Sequence, residues 1–158
     1  MYQAFGGGGS DVSRYPNEHI EINARVLSVE DTNPFAKAGV MLRTADGFSF
    51  ATTASAADVI LDLRPDGVVE LMSREAAGGP TTYIAEAAGA APIWLKLVRN
   101  GNVVTGLMLS DGISWTTVGS AATGVSADAQ MAGVVVTSHD RSRLNTSRFD
   151  HVEIRIPQ

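Results

Sequence analysis

Apolar and polar residues alternate along most of the chain from His19 onward, and this period of two predicts β-strands rather than helices. The clearest case is the segment 19–29, in which one strand face would carry only apolar side chains: Ile20, Ile22, Ala24 and Val26. The residues between them are polar. A strand of this kind buries one face and leaves the other to solvent or to a ligand.

The same pattern predicts strands at 19–29, 36–44, 48–53, 58–64, 68–75, 81–86, 93–99, 103–109, 114–118, 131–139 and 147–156. Turn residues separate them. Pro65-Asp66-Gly67 predicts a tight hairpin, and Asn100-Gly101 predicts a type I′ turn that pairs its flanking strands antiparallel. So many strands in one domain favour two packed antiparallel sheets, which is an all-β sandwich.

Length and charge narrow the function classes. The 158 residues suit one domain, which we place at 19–158, after an N-terminal segment 1–18 whose Gly6–Ser10 stretch (GGGGS) is a linker, natural or engineered, or a glycine-rich loop. A net charge of −5 disfavours nucleic acid and anionic membranes as partners. The absence of cysteine excludes disulfides, thiolate catalysis and Cys-ligated zinc. We expect no membrane insertion, and the first ten residues lack the features of a signal peptide.

Several short motifs occur in the order and approximate spacing of a known family. They are AKAGVMLR at 36–43, IWLKLVRNG at 93–101, SDGISWTTVG at 110–119, GVVVTSH at 133–139 and FDHV at 149–152. Between about Glu21 and Ile156 the chain resembles the concanavalin A-like lectin/glucanase (laminin G-like) jelly-roll domains appended to large secreted bacterial proteins. The resemblance implies a jelly roll and an extracellular or cell-surface location. It does not select a function, because that superfamily includes lectins, carbohydrate-binding modules, glycosidases, lyases and interaction domains.

One departure from the family concerns the N-terminus. The resemblance implies an additional first strand, and this chain begins within that region. We therefore expect an open sheet edge that permits self-association, unless the segment Tyr2–Phe5 or a strand of a neighbouring chain occupies the place.

The carboxylates do not form an evident catalytic pair. A retaining glycosidase needs two carboxyl groups about 5 Å apart, but Glu18 and Glu21 are three residues apart and would point to opposite strand faces. Asp58 and Asp62 are explained by a solvated strand face. The sequence therefore predicts a protein that is not an enzyme.

Candidate ligand-binding residues combine aromatic rings, which stack on sugars, with polar side chains that hydrogen-bond them. They are Arg43, Arg74, Tyr83, Trp94, Lys96 and His139. Two alternatives stay open: Trp94 packs against neighbouring strands, and His139 serves only its own loop. Trp115 is interpreted as a core residue.

The three basic candidates have two possible roles. Arg43, Arg74 and Lys96 either form a stripe for acidic sugar groups or pair with Asp62, Glu70 and Glu86 across the sheet.

A structural calcium ion is a further expectation that follows from the resemblance. Sandwich domains often hold such an ion at the start of the last strand, where Asp150 lies here. Loop carbonyls and a second carboxylate, Asp11 or Glu30, would complete the site.

Taken together, these patterns favour a non-catalytic carbohydrate-binding module that contacts polysaccharide on one sheet face through Tyr83 and Trp94. The first alternative is a structural or protein-interaction domain of a larger surface assembly. The second is a glycosidase or polysaccharide lyase of the same fold.

Overall fold

The computed structural model describes residues 19–45, 54–127 and 129–156, and within these ranges the regular structure consists entirely of β-strands. There are ten: β1 (His19–Ser28), β2 (Lys37–Thr44), β3 (Asp58–Leu63), β4 (Val68–Arg74), β5 (Thr82–Ala88), β6 (Ile93–Asn100), β7 (Val103–Leu109), β8 (Thr116–Ala122), β9 (Gln130–Thr137) and β10 (Arg148–Arg155). In the described part of the chain, no helix is long and apolar enough to cross a membrane.

The strands form two five-stranded antiparallel sheets. The first sheet has the order β10-β1-β6-β7-β8, and the second sheet has the order β5-β4-β3-β2-β9. The predicted all-β, two-sheet sandwich is therefore confirmed, and its architecture is jelly-roll-like. Sequential neighbours such as β3 and β4 pair directly, whereas β1 pairs with β6 and β10, and β2 pairs with β9.

The core lies between the two sheets, where the alternating apolar residues of both inner faces meet. Its largest fully buried side chains are Ile22, Leu42, Leu61, Leu63, Leu71, Ile93, Leu95, Leu97, Val26, Val40, Val59 and Val69. Each full burial of a Val, Leu or Ile side chain contributes about 1.5–3 kcal/mol. The apolar face predicted for β1 belongs to this core.

Two hairpins show how local sequence fixes strand pairing. In the β3–β4 turn, Gly67 has a φ of +84°, and its N–H donates to the Arg64 carbonyl at 3.1 Å. In the β6–β7 turn, Asn100 is still paired with Val103, so the two loop residues are Gly101 and Asn102 rather than Asn100 and Gly101. Positive φ is needed only at Gly101, which matches a type II′ turn instead of the predicted type I′.

Most predicted strand ends agree with the structure to within two residues. The start of β8 is at Thr116, not at 114, because the Asp111 carboxylate accepts hydrogen bonds from the backbone N–H groups of Ile113 and Ser114 at 2.8 and 2.9 Å. This turn holds the segment out of the sheet. The strand predicted at 48–53, the segment 1–18 and the strand predicted at Tyr2–Phe5 lie outside the described residues.

Strand register sets up rows of side chains on the outer face of the second sheet. One row joins Val135, Gly39, Asp62, Glu70 and Glu86 as successive Cα partners from β9 to β5. The neighbouring row of Gly133, Met41, Ile60, Met72 and Tyr83 carries no charge, and the row after it holds Arg43, Asp58 and Arg74.

Two glycines of adjacent strands on this outer face give a matched test of packing. A Cβ added at Gly39 would lie 2.1 Å from the Leu61 carbonyl oxygen, whereas a Cβ at Gly133 would meet nothing within 4 Å. We expect Gly39→Ala to destabilise the domain by roughly 1–3 kcal/mol through overpacking, and Gly133→Ala to be neutral or slightly stabilising. Urea denaturation of both variants measures this, and equal midpoints would contradict the packing described for β2 and β3.

Candidate functional site

The sandwich presents two outer sheet faces with different chemistry. The outer face of the first sheet carries both tryptophans of the chain, and we call it the tryptophan face. The outer face of the second sheet carries a network of ion pairs, and we call it the charged face. Because the sheets lie back to back, no small ligand can contact both faces at once.

Trp94 lies near the start of β6, the central strand of the tryptophan face. Its Cα partners are Arg25 on β1 and Leu109 on β7. The Arg25 guanidinium carbon lies 5.7 Å from the centre of the indole, and the His151 ring centre lies 5.3 Å away at a tilt of 54°. Trp94 is half-buried, with the Arg25 guanidinium over its ring and the His151 ring tilted against it.

Trp115 lies on the same face and was wrongly predicted to be a core residue. It is 36% exposed, and the Lys96 ammonium nitrogen sits 4.0 Å from the centre of its ring. Lys96 in turn is half-buried in β6, two residues from Trp94. Asp111 stabilises the loop before β8, and Trp115 is the last residue of that loop. The Trp115 side chain therefore points outward, against Lys96, rather than into the core.

Asp150 is bound by an arginine. Both its carboxylate oxygens accept hydrogen bonds from Arg25, one of them at 2.7 Å, and the His151 Nδ1 lies 3.0 Å away. The hydrogen bonds from Arg25, followed by that from His151, hold the pKa of Asp150 well below its usual range. Arg25 is thereby oriented beside Trp94.

The same contacts bear on the calcium expectation. Of the two candidate second ligands, Asp11 lies outside the described residues, and Glu30 accepts a hydrogen bond from the Thr146 backbone at 2.6 Å. Within the described ranges, no group of three His, Asp or Glu side chains is arranged to hold a metal ion. Asp150 is the hydrogen-bond partner of Arg25 in this structure, and a calcium ion at this position stays a prediction.

On the charged face, two cations bind one glutamate. Lys37 donates to Glu70 Oε2, and Arg64 donates to Glu70 Oε1 at 2.8 Å. Arg64 also donates to Asp66, and its guanidinium lies 5.2 Å from the centre of the Phe35 ring. Glu70 is buried although it points away from the core, so these charge-assisted bonds compensate its desolvation.

Asp62 lies directly opposite Glu70 and is the least solvated charged residue of this face. It is 0% exposed, and neither of its carboxylate oxygens has a hydrogen-bond donor among the described residues. The nearest cation, Lys37 Nζ, is 3.9 Å away. Burial raises the pKa of Asp62 to about 7, because the attraction of Lys37 only partly offsets the desolvation.

Asp58 forms a second charged group at the other end of β3. Its Cα partners are Arg43 on β2 and Arg74 on β4, and Arg74 Nη1 lies 3.6 Å from Asp58 Oδ2. Burial raises the pKa of Asp58, although both arginines oppose the shift. The interpretation of Asp58 and Asp62 as a solvated strand face is therefore wrong, since both are buried.

Tyr83 on β5 is an exposed aromatic residue of the charged face. It is opposite Met72, and partial desolvation together with a hydrogen bond to Glu86 raises its pKa to about 12. The phenol is therefore neutral at physiological pH. A half-exposed neutral phenol beside a carboxylate can both stack on a ligand and hydrogen-bond it.

His139 follows β9 at the end of the charged face. Its backbone φ is +52°, and its ring centre lies 5.7 Å from that of Phe35, which also contacts Arg64. His139 is exposed, and its backbone N–H donates to Thr137 Oγ1 at 3.3 Å. It therefore forms a small aromatic and cationic cluster with Phe35 and Arg64, beyond its own loop.

The predicted ligand residues do not share one face. Arg43, Arg74 and Tyr83 belong to the second sheet, and Trp94 and Lys96 belong to the first. The prediction that Tyr83 and Trp94 contact a ligand on one common sheet face is therefore wrong. The expected stripe of three basic residues fails for the same reason, and Arg74 pairs with Asp58 rather than with the three proposed carboxylates.

The sequence did not predict the surface contacts of four residues on these two faces: Arg25, Trp115, His151 and Asp62. Arg25 and His151 are distant in sequence, and both contact Asp150 and Trp94 because β1 pairs with β10 and β6. No local pattern could have indicated this arrangement. For Trp115, the Asp111-Gly112 turn was a usable signal, because a loop of this length delays the start of β8.

The fold and its two faces define a jelly-roll-like β-sandwich with separate aromatic and ionic surfaces. Neither a protein-family model nor a curated protein matches the sequence. Solved structures with a similar fold include the GH43 protein BlXynB of Bacillus licheniformis, with a TM-score of 0.68, 13% identity, and coverage of 89% of this chain and 28% of that chain. The xylan β-1,4-xylosidase of Bacillus halodurans gives a TM-score of 0.65, 11% identity, and coverage of 88% and 28%.

A protein of unknown function from Saccharomyces cerevisiae is also similar, with a TM-score of 0.60, 20% identity, and coverage of 90% of this chain and 71% of that chain. At these identities the similarity establishes the fold alone. The sandwich spans little more than a quarter of the length of the two bacterial proteins.

The pKa of Asp62 leads to a prediction about stability and pH. An unfolded Asp titrates near 3.9, so the folded state binds the extra proton between about pH 4 and pH 7. Stability should therefore fall as the pH rises through this window, by up to about 4 kcal/mol. Asp62→Asn should flatten the dependence and be more stable than the parent at pH 8.

Urea denaturation at intervals from pH 5 to pH 8 measures this effect. Asp31→Asn, which alters an exposed loop carboxyl, is the control and should keep the parental slope. Some slope should remain in Asp62→Asn because burial also raises the pKa of Asp58. An unchanged slope in Asp62→Asn would show that this carboxyl is already ionised at pH 5.

Proposed function

We propose that this domain is a non-catalytic carbohydrate-binding module and that it holds a polysaccharide along the tryptophan face. The observation that carries the proposal is the pair of partly exposed indoles, Trp94 and Trp115, on the outer face of one sheet. Arg25 lies over the Trp94 ring, and Lys96 lies over the Trp115 ring. Planar rings stack on the CH faces of pyranose sugars, and flanking charged groups bond the hydroxyls.

The tryptophan face is also better suited to a long ligand than the charged face is. Its basic side chains Arg25 and Lys96 are half-buried, and Trp94, Val98, Leu107 and Leu109 add partly exposed apolar surface on β6 and β7. On the charged face, Lys37, Asp62 and Glu70 are buried and already engaged with one another. A ligand there would have to displace existing ion pairs, at a cost in free energy.

An extracellular location belongs to the same proposal, because polysaccharides are mostly outside cells. The xylan β-1,4-xylosidase of similar fold suggests xylan as the first ligand to test. Another protein chain remains the alternative partner, and the lack of affinity for nucleic acid remains an expectation from the net charge.

Binding to insoluble polysaccharides, including xylan and cellulose, tests the proposal directly. We expect Trp94→Ala and Trp115→Ala each to weaken binding by about tenfold, because each removes a stacking surface. Tyr83→Ala is the matched control: it removes a half-exposed aromatic ring from the opposite face and should bind like the parent.

Two outcomes of this experiment would overturn the proposal. Retention by none of a broad polysaccharide panel would exclude the function. Loss of binding in Tyr83→Ala, with both tryptophan variants unaffected, would place the ligand on the charged face instead.

One observation favours a second candidate function, which is a glycosidase or polysaccharide lyase. Asp62, with a pKa of about 7, lies opposite Glu70 on the neighbouring strand, and a proton-donating carboxyl beside a second carboxylate is what glycoside cleavage requires. Both groups are buried, so a substrate would first need access to them. Release of reducing or unsaturated ends from the same panel, lost in Asp62→Asn, would support this function over simple binding.

A further inference from the structure

Strand β10 forms an exposed edge of the first sheet. In the described ranges it pairs with β1 and with no other strand, so the backbone groups on its other side have no sheet partner. Val152 and Ile154 on this strand are 50% and 49% exposed, so the edge presents uncovered apolar side chains. An edge of this kind is a template for adding another strand.

We propose that β10 pairs antiparallel with β10 of a second copy of this chain, about a two-fold axis that passes beside Ile154. The two first sheets would then form one continuous ten-stranded sheet. A second copy is the fitting partner because the edge is self-complementary in this register, as its sequence from Val152 to Ile156 shows.

Charges match in that register. With Ile154 opposite the partner's Ile154, Glu153 faces the partner's Arg155 and Arg155 faces the partner's Glu153. Both residues lie on the same side of the strand, since their Cα partners on β1 are Asn23 and Glu21. Directly opposite cross-strand ion pairs stabilise antiparallel sheets, and here the symmetry creates two of them.

Apolar residues match on the other side of the strand. Ile154 meets the partner's Ile154, and Val152 meets the partner's Ile156. The exposed side chains of the free edge would therefore cover one another. The regular edge ends at His151, where a β-bulge and a φ of +50° interrupt the pairing, so the contact is confined to residues 152–156.

Neighbouring two-fold registers are unfavourable. Centring the pair on Glu153 places two glutamates opposite each other, and centring it on Arg155 places two arginines opposite each other. Charged residues on an edge usually prevent association. In β10 they instead select one register, because the two charges are opposite in sign and symmetric about Ile154.

Sedimentation equilibrium of the whole chain and of two charge variants tests the proposal. The parent should form a dimer of twice the 16.6 kDa chain mass. Glu153→Arg and Arg155→Glu each place like charges opposite one another and should weaken the homodimer by about tenfold or more. Mixing the two variants should restore dimerisation, because each Arg pair then faces a Glu pair.

Glu75→Arg, a charge reversal on an exposed loop of the second sheet, is the control and should dimerise like the parent. The double variant Glu153→Arg with Arg155→Glu should also dimerise, since the charge pairs are exchanged within one chain. A parent that stays monomeric up to about 1 mM would overturn the proposal. So would single variants that dimerise as well as the parent, because the contact would then lie elsewhere on the surface.

Discussion

The alternation of side chains along each strand is the constraint on which the rest of this structure depends. Two sheets can pack only if every second residue of each strand is apolar and faces inward, as Leu61, Leu71 and Leu97 do. The other residues must then face outward, and the sheet to which a strand belongs decides which of two opposite surfaces they join. The chemistry of each surface is therefore a consequence of topology.

This dependence explains what the sequence could and could not predict. Strand positions follow from local alternation and turn residues, so all ten strands of the described ranges were predicted. Sheet membership is a non-local property. Nothing near Tyr83 or Trp94 shows that β5 and β6, consecutive in the chain, lie in different sheets. The two aromatic residues were therefore grouped on one surface although the sandwich separates them.

Burial on an outer face was the second property that alternation alone could not predict. Asp58 and Asp62 alternate with core residues and were interpreted as a solvated strand face, yet both are buried. Asp62 lies between its Cα partners Gly39 and Glu70 with Lys37 Nζ 3.9 Å away, and Asp58 lies between Arg43 and Arg74. Trp115 shows the opposite case, since a large apolar residue that precedes a strand can be held outward by a cation above its ring.

The buried charges of the second sheet also bear on its register. Sliding β3 by one residue relative to β2 and β4 would turn Asp62 into the apolar core and bring Leu61 to the outer face. An unpaired carboxylate there would cost several kcal/mol, far more than the loss of one ladder hydrogen bond. The network of Lys37, Asp62 and Glu70 therefore adds little to net stability, because desolvation offsets its attraction. Its effect is to raise the free energy of every other alignment of β2, β3 and β4. This keeps the inner and outer faces of the sheet distinct.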